Sequence, residues 1–317
     1  MKKKIILINL ILIAVVYFTF DIAIYSYSIV KSFELNSRIW TFREHIKQSV
    51  INYFENKYIS FDKFYEKKIK FRPDVGLQFQ KKPIVVFGCS FAYGSKLEDN
   101  QTFSYKLSEY TKRPVYNRAS PGWGVQDMLY QLRRKDFYSN IKEPEYVIYV
   151  YMQGHMDRLY SEVWMTDTQV FYKSTPHGLV ENKWLSTYNP FYNFIVKGIR
   201  WCYYARKFRI EYEKRGFIES DWFFYVAKFL NQHFSESREE ALNHWNHPKF
   251  IVLVYSETGS ENWSAIEASG WTVVKAKDLT TENLNSLKYV ISETNDHPSE
   301  AAWNLLVPSL VKKLDIN

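Results

Sequence analysis

Two cysteines in 317 residues leave no room for a disulfide scaffold, and 11 glycines with 10 prolines exclude a collagenous or low-complexity chain. With 46% hydrophobic residues, most of the chain has to fold around a core. Acidic side chains are the scarcer sign, 34 Asp and Glu against 42 Lys and Arg, so the formal net charge is +8. That excess, with 18% aromatic residues, suits an anionic or carbohydrate-like partner without choosing one. The length allows two average domains or one larger α/β domain with insertions.

What is present begins with a long apolar run. Lys2, Lys3 and Lys4 precede residues 5–20, apolar except for Asn9 and Thr19, and apolar character resumes over 22–30 after Asp21. The combined stretch is long enough for a bilayer core, which takes about 20 mostly apolar residues. A cleavable signal peptide ends in a small-x-small site, and Ser26-Tyr27-Ser28 is the one candidate. The expectation is therefore one uncleaved signal-anchor transmembrane helix over residues 1–30, rather than a cleaved leader or a buried core helix, in which three lysines have no use. Lys31, Arg38, Arg43 and Lys47 compete with the N-terminal lysines for the cytoplasmic side. A tail this short is readily retained inside, which leaves the rest as a single-pass, extracytoplasmic domain. Asp21 receives no role. Residues 31–80 read as a stalk or packing helix, with Ile46, Val50, Tyr53 and Phe54 at helical spacing.

From residue 81 the pattern changes. Ile84-Val85-Val86-Phe87 is a short buried strand that stops at Gly88-Cys89-Ser90-Phe91-Ala92-Tyr93-Gly94, a tight turn leading into a helix. Open α/β sheets place their chemistry at such strand ends, although a serine there also serves as an ordinary helix cap. Val115-Tyr116-Asn117 leads into the turn-rich Arg118-Ala119-Ser120-Pro121-Gly122-Trp123-Gly124. Tyr146-Val147-Ile148-Tyr149-Val150-Tyr151 leads into Met152-Gln153-Gly154-His155-Met156-Asp157-Arg158. Tyr289-Val290-Ile291 leads through Glu293 to Asn295-Asp296-His297-Pro298-Ser299, followed by a helix from Glu300 to about Leu314. Strands alternating with helices imply a mostly parallel sheet covered on both faces.

With these four blocks in this order, the chain resembles the SGNH (GDSL-like) hydrolase superfamily. The resemblance covers roughly residues 83–158 and 246–313, and implies a three-layer α/β/α domain over 81–317. It implies that Ser90 is the nucleophile and that His297, in the last block, is its base. It also implies an oxyanion hole built from the Ser90 and Gly122 backbone N–H groups, with Gly124 as the neighbouring alternative. Many members carry Gly-x-Asn-Asp in the third block, and His155 is read here as standing in for the asparagine donor, since an imidazole N–H can also donate. Members usually place the acid two or three residues before the histidine. In this chain those positions are Asn295 and Thr294, and the aspartate, Asp296, is adjacent to His297. Adjacent residues on an extended chain point apart, so either Asp296 completes a triad or a backbone carbonyl or Asn295 orients the ring.

Between the third and last blocks, an insertion at about 159–245 carries Trp164, Phe171, Tyr172, Trp184, Tyr188, Trp201 and Trp222, interleaved with Lys197, Arg200, Arg206 and Arg209. It reads either as a helical cover or as a lid whose rings meet sugar faces. Phe250-Ile251-Val252-Leu253-Val254 is a further buried strand, preceded by His244 and His247. That pair falls short of a zinc site, so no metal or other cofactor is expected. Cys89 and Cys202 are not expected to pair.

The reading is a membrane-anchored serine hydrolase or acyltransferase acting on O-acyl, chiefly O-acetyl, groups of a cell-surface polysaccharide or glycolipid. Its layout suggests a membrane-bound acyltransferase as partner, and nucleic acid is not expected. The alternative from another class is a catalytically impaired SGNH-fold binding or scaffold protein of envelope polysaccharide assembly. A third reading is a cytoplasm-facing lipid esterase.

Overall fold

The computed structural model describes residues 69, 71–160, 172–175, 178–181, 219–259, 261–292 and 295–316. The expected anchor over 1–30 and the stalk up to residue 68 lie outside these, as do Asp21, Cys202, Glu293, Thr294 and much of the aromatic insertion. Among the described residues no helix is long and apolar enough to cross a membrane. The described end of the expected stalk, residues 71–80, is not helical; it runs as an irregular strap whose Val75 bridges Val115 in antiparallel fashion.

In chain order the elements are β1 (Ile84–Gly88), α1 (Ser90–Tyr93), α2 (Phe103–Thr111), β2 (Val115–Asn117), α3 (Val125–Leu132), α4 (Lys135–Ser139), β3 (Tyr146–Tyr151) and α5 (Gly154–Tyr160). There follow β4 (Tyr172–Thr175), β5 (Gly178–Glu181), α6 (Glu219–Leu242), β6 (Lys249–Val254), α7 (Trp263–Ala268), β7 (Trp271–Lys275), β8 (Val290–Ser292), β9 (Asn295–Pro298) and α8 (Glu300–Leu314). Five strands form a parallel sheet in the order β2-β1-β3-β6-β7. Parallel strands are covered on both faces, which is why β1 and β3 read as unbroken apolar runs and are buried at every position.

Alternation along these strands divides the core. Val85, Phe87, Val147, Tyr149, Tyr151 and Val252 face one side, where α3 supplies Val125, Met128 and Leu132 and α6 supplies Leu230, Phe234 and Ala241. Ile84, Val86, Ile148, Val150 and Leu253 face the other, against Phe103 and Leu107 of α2 and Trp303, Leu306, Val307 and Leu310 of α8. The result is three layers, α/β/α.

Two expectations change. The Tyr289-Val290-Ile291 run is not a strand of the parallel sheet; β8 pairs antiparallel with β9 in a separate two-stranded ribbon, so His297 sits on a strand rather than on a loop leaving the parallel sheet. The insertion contains, besides a helix, the antiparallel pair β4–β5. Its described helical end behaves as a cover, with Leu230 and Phe234 fully buried on the sheet.

Candidate active site

The loops after β1, β2, β3 and the β8–β9 ribbon carry the four sequence blocks. Gly88 ends β1 at φ +146°, and a Cβ there would lie 2.8 Å from the Val150 carbonyl oxygen and 2.9 Å from Ala92 Cβ. Only glycine lets the chain turn this close to β3 and enter α1 at once. Ser90 is the first residue of that helix, and the preceding Cys89, which is buried and unpaired by any disulfide, provides no side-chain cap.

His297 Nε2 lies 2.8 Å from Ser90 Oγ. On the other side of the ring, Nδ1 is 2.6 Å from Asn295 Oδ1, and the same oxygen accepts the His297 backbone N–H at 3.1 Å. That second bond identifies the facing atom as oxygen. Nδ1 therefore carries the proton and donates it, leaving the Nε2 lone pair for the Ser90 hydroxyl.

Asn295 and His297 project to one side of β9 and Asp296 to the other. Asp296 is 83% exposed, and its Oδ1 stays 3.7 Å from Nδ1. The expected triad member is thus displaced, and the orienting role falls to Asn295, two residues before the histidine. The Phe91 ring, 5.0 Å from the imidazole, is itself backed by Tyr255. Burial against these groups lowers the His297 pKa below the ordinary imidazole value; the Asp296 charge opposes this shift and the Arg158 charge adds to it. The ring is accordingly neutral, and able to accept a proton, at neutral pH. Burial and the Asp296 charge push the Tyr255 phenol in the opposite direction, upward.

The second block is tied to the nucleophile turn. Asn117, fully buried, donates from Nδ2 to the Ala92 carbonyl at 3.1 Å and accepts the Ala119 N–H at 3.1 Å. The Ser120 N–H continues the ladder to the Gly88 carbonyl. Of the two glycines considered, Gly124 has its N–H committed to Asp127 Oδ2 at 2.8 Å, where it caps α3. Gly122, the other glycine considered, lies in the same loop at φ +84°.

His155 does not occupy the expected place. Its ring is fully buried between Tyr149 and Tyr151, with Nδ1 2.9 Å from the Tyr149 hydroxyl, and burial holds its pKa well below the ordinary value. A group with no accessible surface cannot donate to a substrate oxygen. In register with Gly-x-Asn-Asp, the asparagine position falls on Met156, which is also buried.

Three supporting residues carry no signal in the sequence. Arg72, from the strap before β1, donates to the carbonyls of Tyr93 (3.2 Å), Gly94 (2.7 Å) and Leu97 (2.7 Å), gripping the end of α1. Glu261 accepts from Tyr151 Oη and from the Thr258 and Gly259 amides, all at 2.9 Å, fixing the loop after β6. Arg158 joins the third block to the second through the Trp123 carbonyl. The His244 ring stacks on Tyr138 at 3.9 Å, a packing role.

A serine at the end of β1, its histidine just before the last helix, and a sheet running 2-1-3-6-7 define an SGNH-like α/β fold. No family model and no curated protein matches the chain. Among solved structures it is similar to a protein of the lipolytic G-D-S-L family from Desulfitobacterium hafniense, at a TM-score of 0.43 and 14% identity over 73% of this chain and 99% of that one. A lipase from a goat rumen metagenome gives 0.42 and 10%, over 73% and 97%. An acetyl xylan esterase from Butyrivibrio proteoclasticus gives 0.41 and 9%, over 75% and 65%.

Proposed function

We propose that the chain is a serine acyl-ester hydrolase or acyltransferase working through an acyl-enzyme on Ser90. The observation that carries this is the 2.8 Å contact between Ser90 Oγ and an Nε2 whose tautomer is set by Asn295. Nucleophile, base and orienter in hydrogen-bonded series are what acyl transfer requires. His297 takes the hydroxyl proton as Oγ attacks the ester carbonyl carbon, and the carbonyl electron pair moves to oxygen. Donors beside Ser90 hold that oxyanion until it collapses, expelling the alcohol with the proton from His297. Water then releases the acid, or an acceptor hydroxyl takes the acyl group.

The substrate class we propose is an O-acyl, chiefly O-acetyl, group on a cell-surface polysaccharide or glycolipid. It is supported by the apolar, lysine-headed N-terminus, which suits an anchor with the domain outside, and by the aromatic and basic composition of the insertion. A membrane-bound acyltransferase as acyl donor fits the same layout. The competing reading, a binding or scaffold protein on the same fold, is favoured by one observation: a neutral amide replaces the acid behind His297.

Hydrolysis of a panel of acetyl esters and of acetylated glycans by the full-length chain separates the two. The proposal expects turnover that Ser90→Ala and His297→Ala each abolish. No turnover of any ester would leave the binding reading, and wild-type turnover in both variants would overturn the acyl-enzyme on Ser90.

A further inference from the structure

With His155 buried, the oxyanion side of the site has no side-chain donor from the third block in the place the sequence assigns. Arg158, one turn beyond Gly154 on α5, lies next to that place. Its Nη1 donates to the Trp123 carbonyl at 2.5 Å, and Nη2 lies 4.0 Å from where a Cβ on Gly154 would be. Trp123 adjoins Gly122 in the loop after β2, and Gly154 opens the helix after β3. These two strands flank β1, whose end carries Ser90, so the guanidinium closes the gap between the loops on either side of the nucleophile.

We propose that Arg158 is the side-chain stabiliser of the oxyanion at Ser90, taking the role the sequence assigned to His155. This rests on the reading of Ser90 as the nucleophile. Arg158 has no carboxylate partner among the described residues, and its N–H groups other than the one on Trp123 have no acceptor there. A half-buried cation with no carboxylate partner among the described residues, bridging the two loops that flank the serine, is placed to meet negative charge as it develops. The Arg158 charge also reaches His297, where it opposes protonation of the ring. The bond to Trp123 fixes the guanidinium in advance and holds the carbonyl beside Gly122 in place.

Two substitutions of the full-length chain separate charge from positioning. Arg158→Gln can still donate to the Trp123 carbonyl but carries no charge; Arg158→Lys keeps the charge without the planar fork. On a small neutral acetyl ester, Arg158→Gln is expected to lower kcat by about 10²- to 10³-fold with little change in KM, the range for loss of one oxyanion donor. Arg158→Lys is expected to lose less. The acid limb of the pH–rate profile should move upward in Arg158→Gln and stay in place in Arg158→Lys, because the cation that opposes His297 protonation is gone only in the former, while Asp296 acts equally in both. Thermal unfolding of each variant shows that the fold is kept. Wild-type kcat in Arg158→Gln, or a rise in KM alone, would overturn the role of Arg158 and leave Ser90 as the nucleophile. An inactive wild type would overturn both.

Discussion

Behind His297 stands a neutral amide oxygen where a carboxylate would lend the forming imidazolium its charge. Asn295 fixes the tautomer but contributes no such stabilisation, and Asp296, almost fully in water, contributes little. Removing the amide in Asn295→Ala is expected to lower kcat/KM by about 10- to 100-fold, part of the 10² to 10⁴ that a positioned base supplies. Asp296→Asn should stay within about fivefold of wild type, as befits an exposed charge worth under about 1 kcal/mol. Steady-state ester hydrolysis measures both; the reverse ranking would return the acid's role to Asp296. The choice between these two residues was half legible in the sequence. Strand alternation indicated that Asp296 and His297 diverge, but that Asn295 closes onto Nδ1 depends on the β8–β9 ribbon. Ser90 and His297 were legible because glycines and a proline frame them. Arg158 was not, since one arginine in a basic chain carries no signal without a partner to show its place.

At the scale of elements, the strands β1, β3 and β6 follow from continuous apolar runs, β2 from the short Val115-Tyr116 pair before its turn-rich loop, and α8 from its bounds after Ser299. β8 was misplaced because a three-residue apolar run fits a sheet core and an edge ribbon equally well. The element that matters most to the site is the junction of β1 and α1, which works only if nothing projects from Gly88. Gly88→Ala is expected to cost about 1–3 kcal/mol in stability, because the backbone conformation is sparsely populated by residues with a Cβ and the new methyl meets the Val150 carbonyl. Activity should fall further than stability alone explains, since the relief of that clash displaces Ser90. A lowered melting temperature with wild-type kcat would show that the turn tolerates the shift and does not position the nucleophile.

For the whole molecule, the buried histidines make folding sensitive to acid. His233 on α6 gives Nδ1 to the Phe229 carbonyl at 2.8 Å, its Nε2 is buried with no partner, and burial pushes its pKa down to about 3. His155 is shifted the same way, for the same reason. Both rings stay neutral when folded and take up protons when unfolded near the ordinary value of about 6.5, so the unfolded state binds more protons below that pH. Stability is therefore expected to be full above about pH 6.5 and to fall steadily toward pH 3; urea unfolding across that range checks it, and His233→Asn should flatten the slope. His297, by contrast, is partly exposed and titrates with the chemistry. The central claim is that Ser90 carries the acyl group. Its most direct test is rapid quenching of the full-length chain with an activated acetyl ester, followed by peptide mass mapping. The account predicts one transient acetyl group on the peptide containing Ser90, accumulating in wild type and absent from Ser90→Ala; an unmodified Ser90 during turnover, or an acetyl group on Cys89 instead, would contradict it.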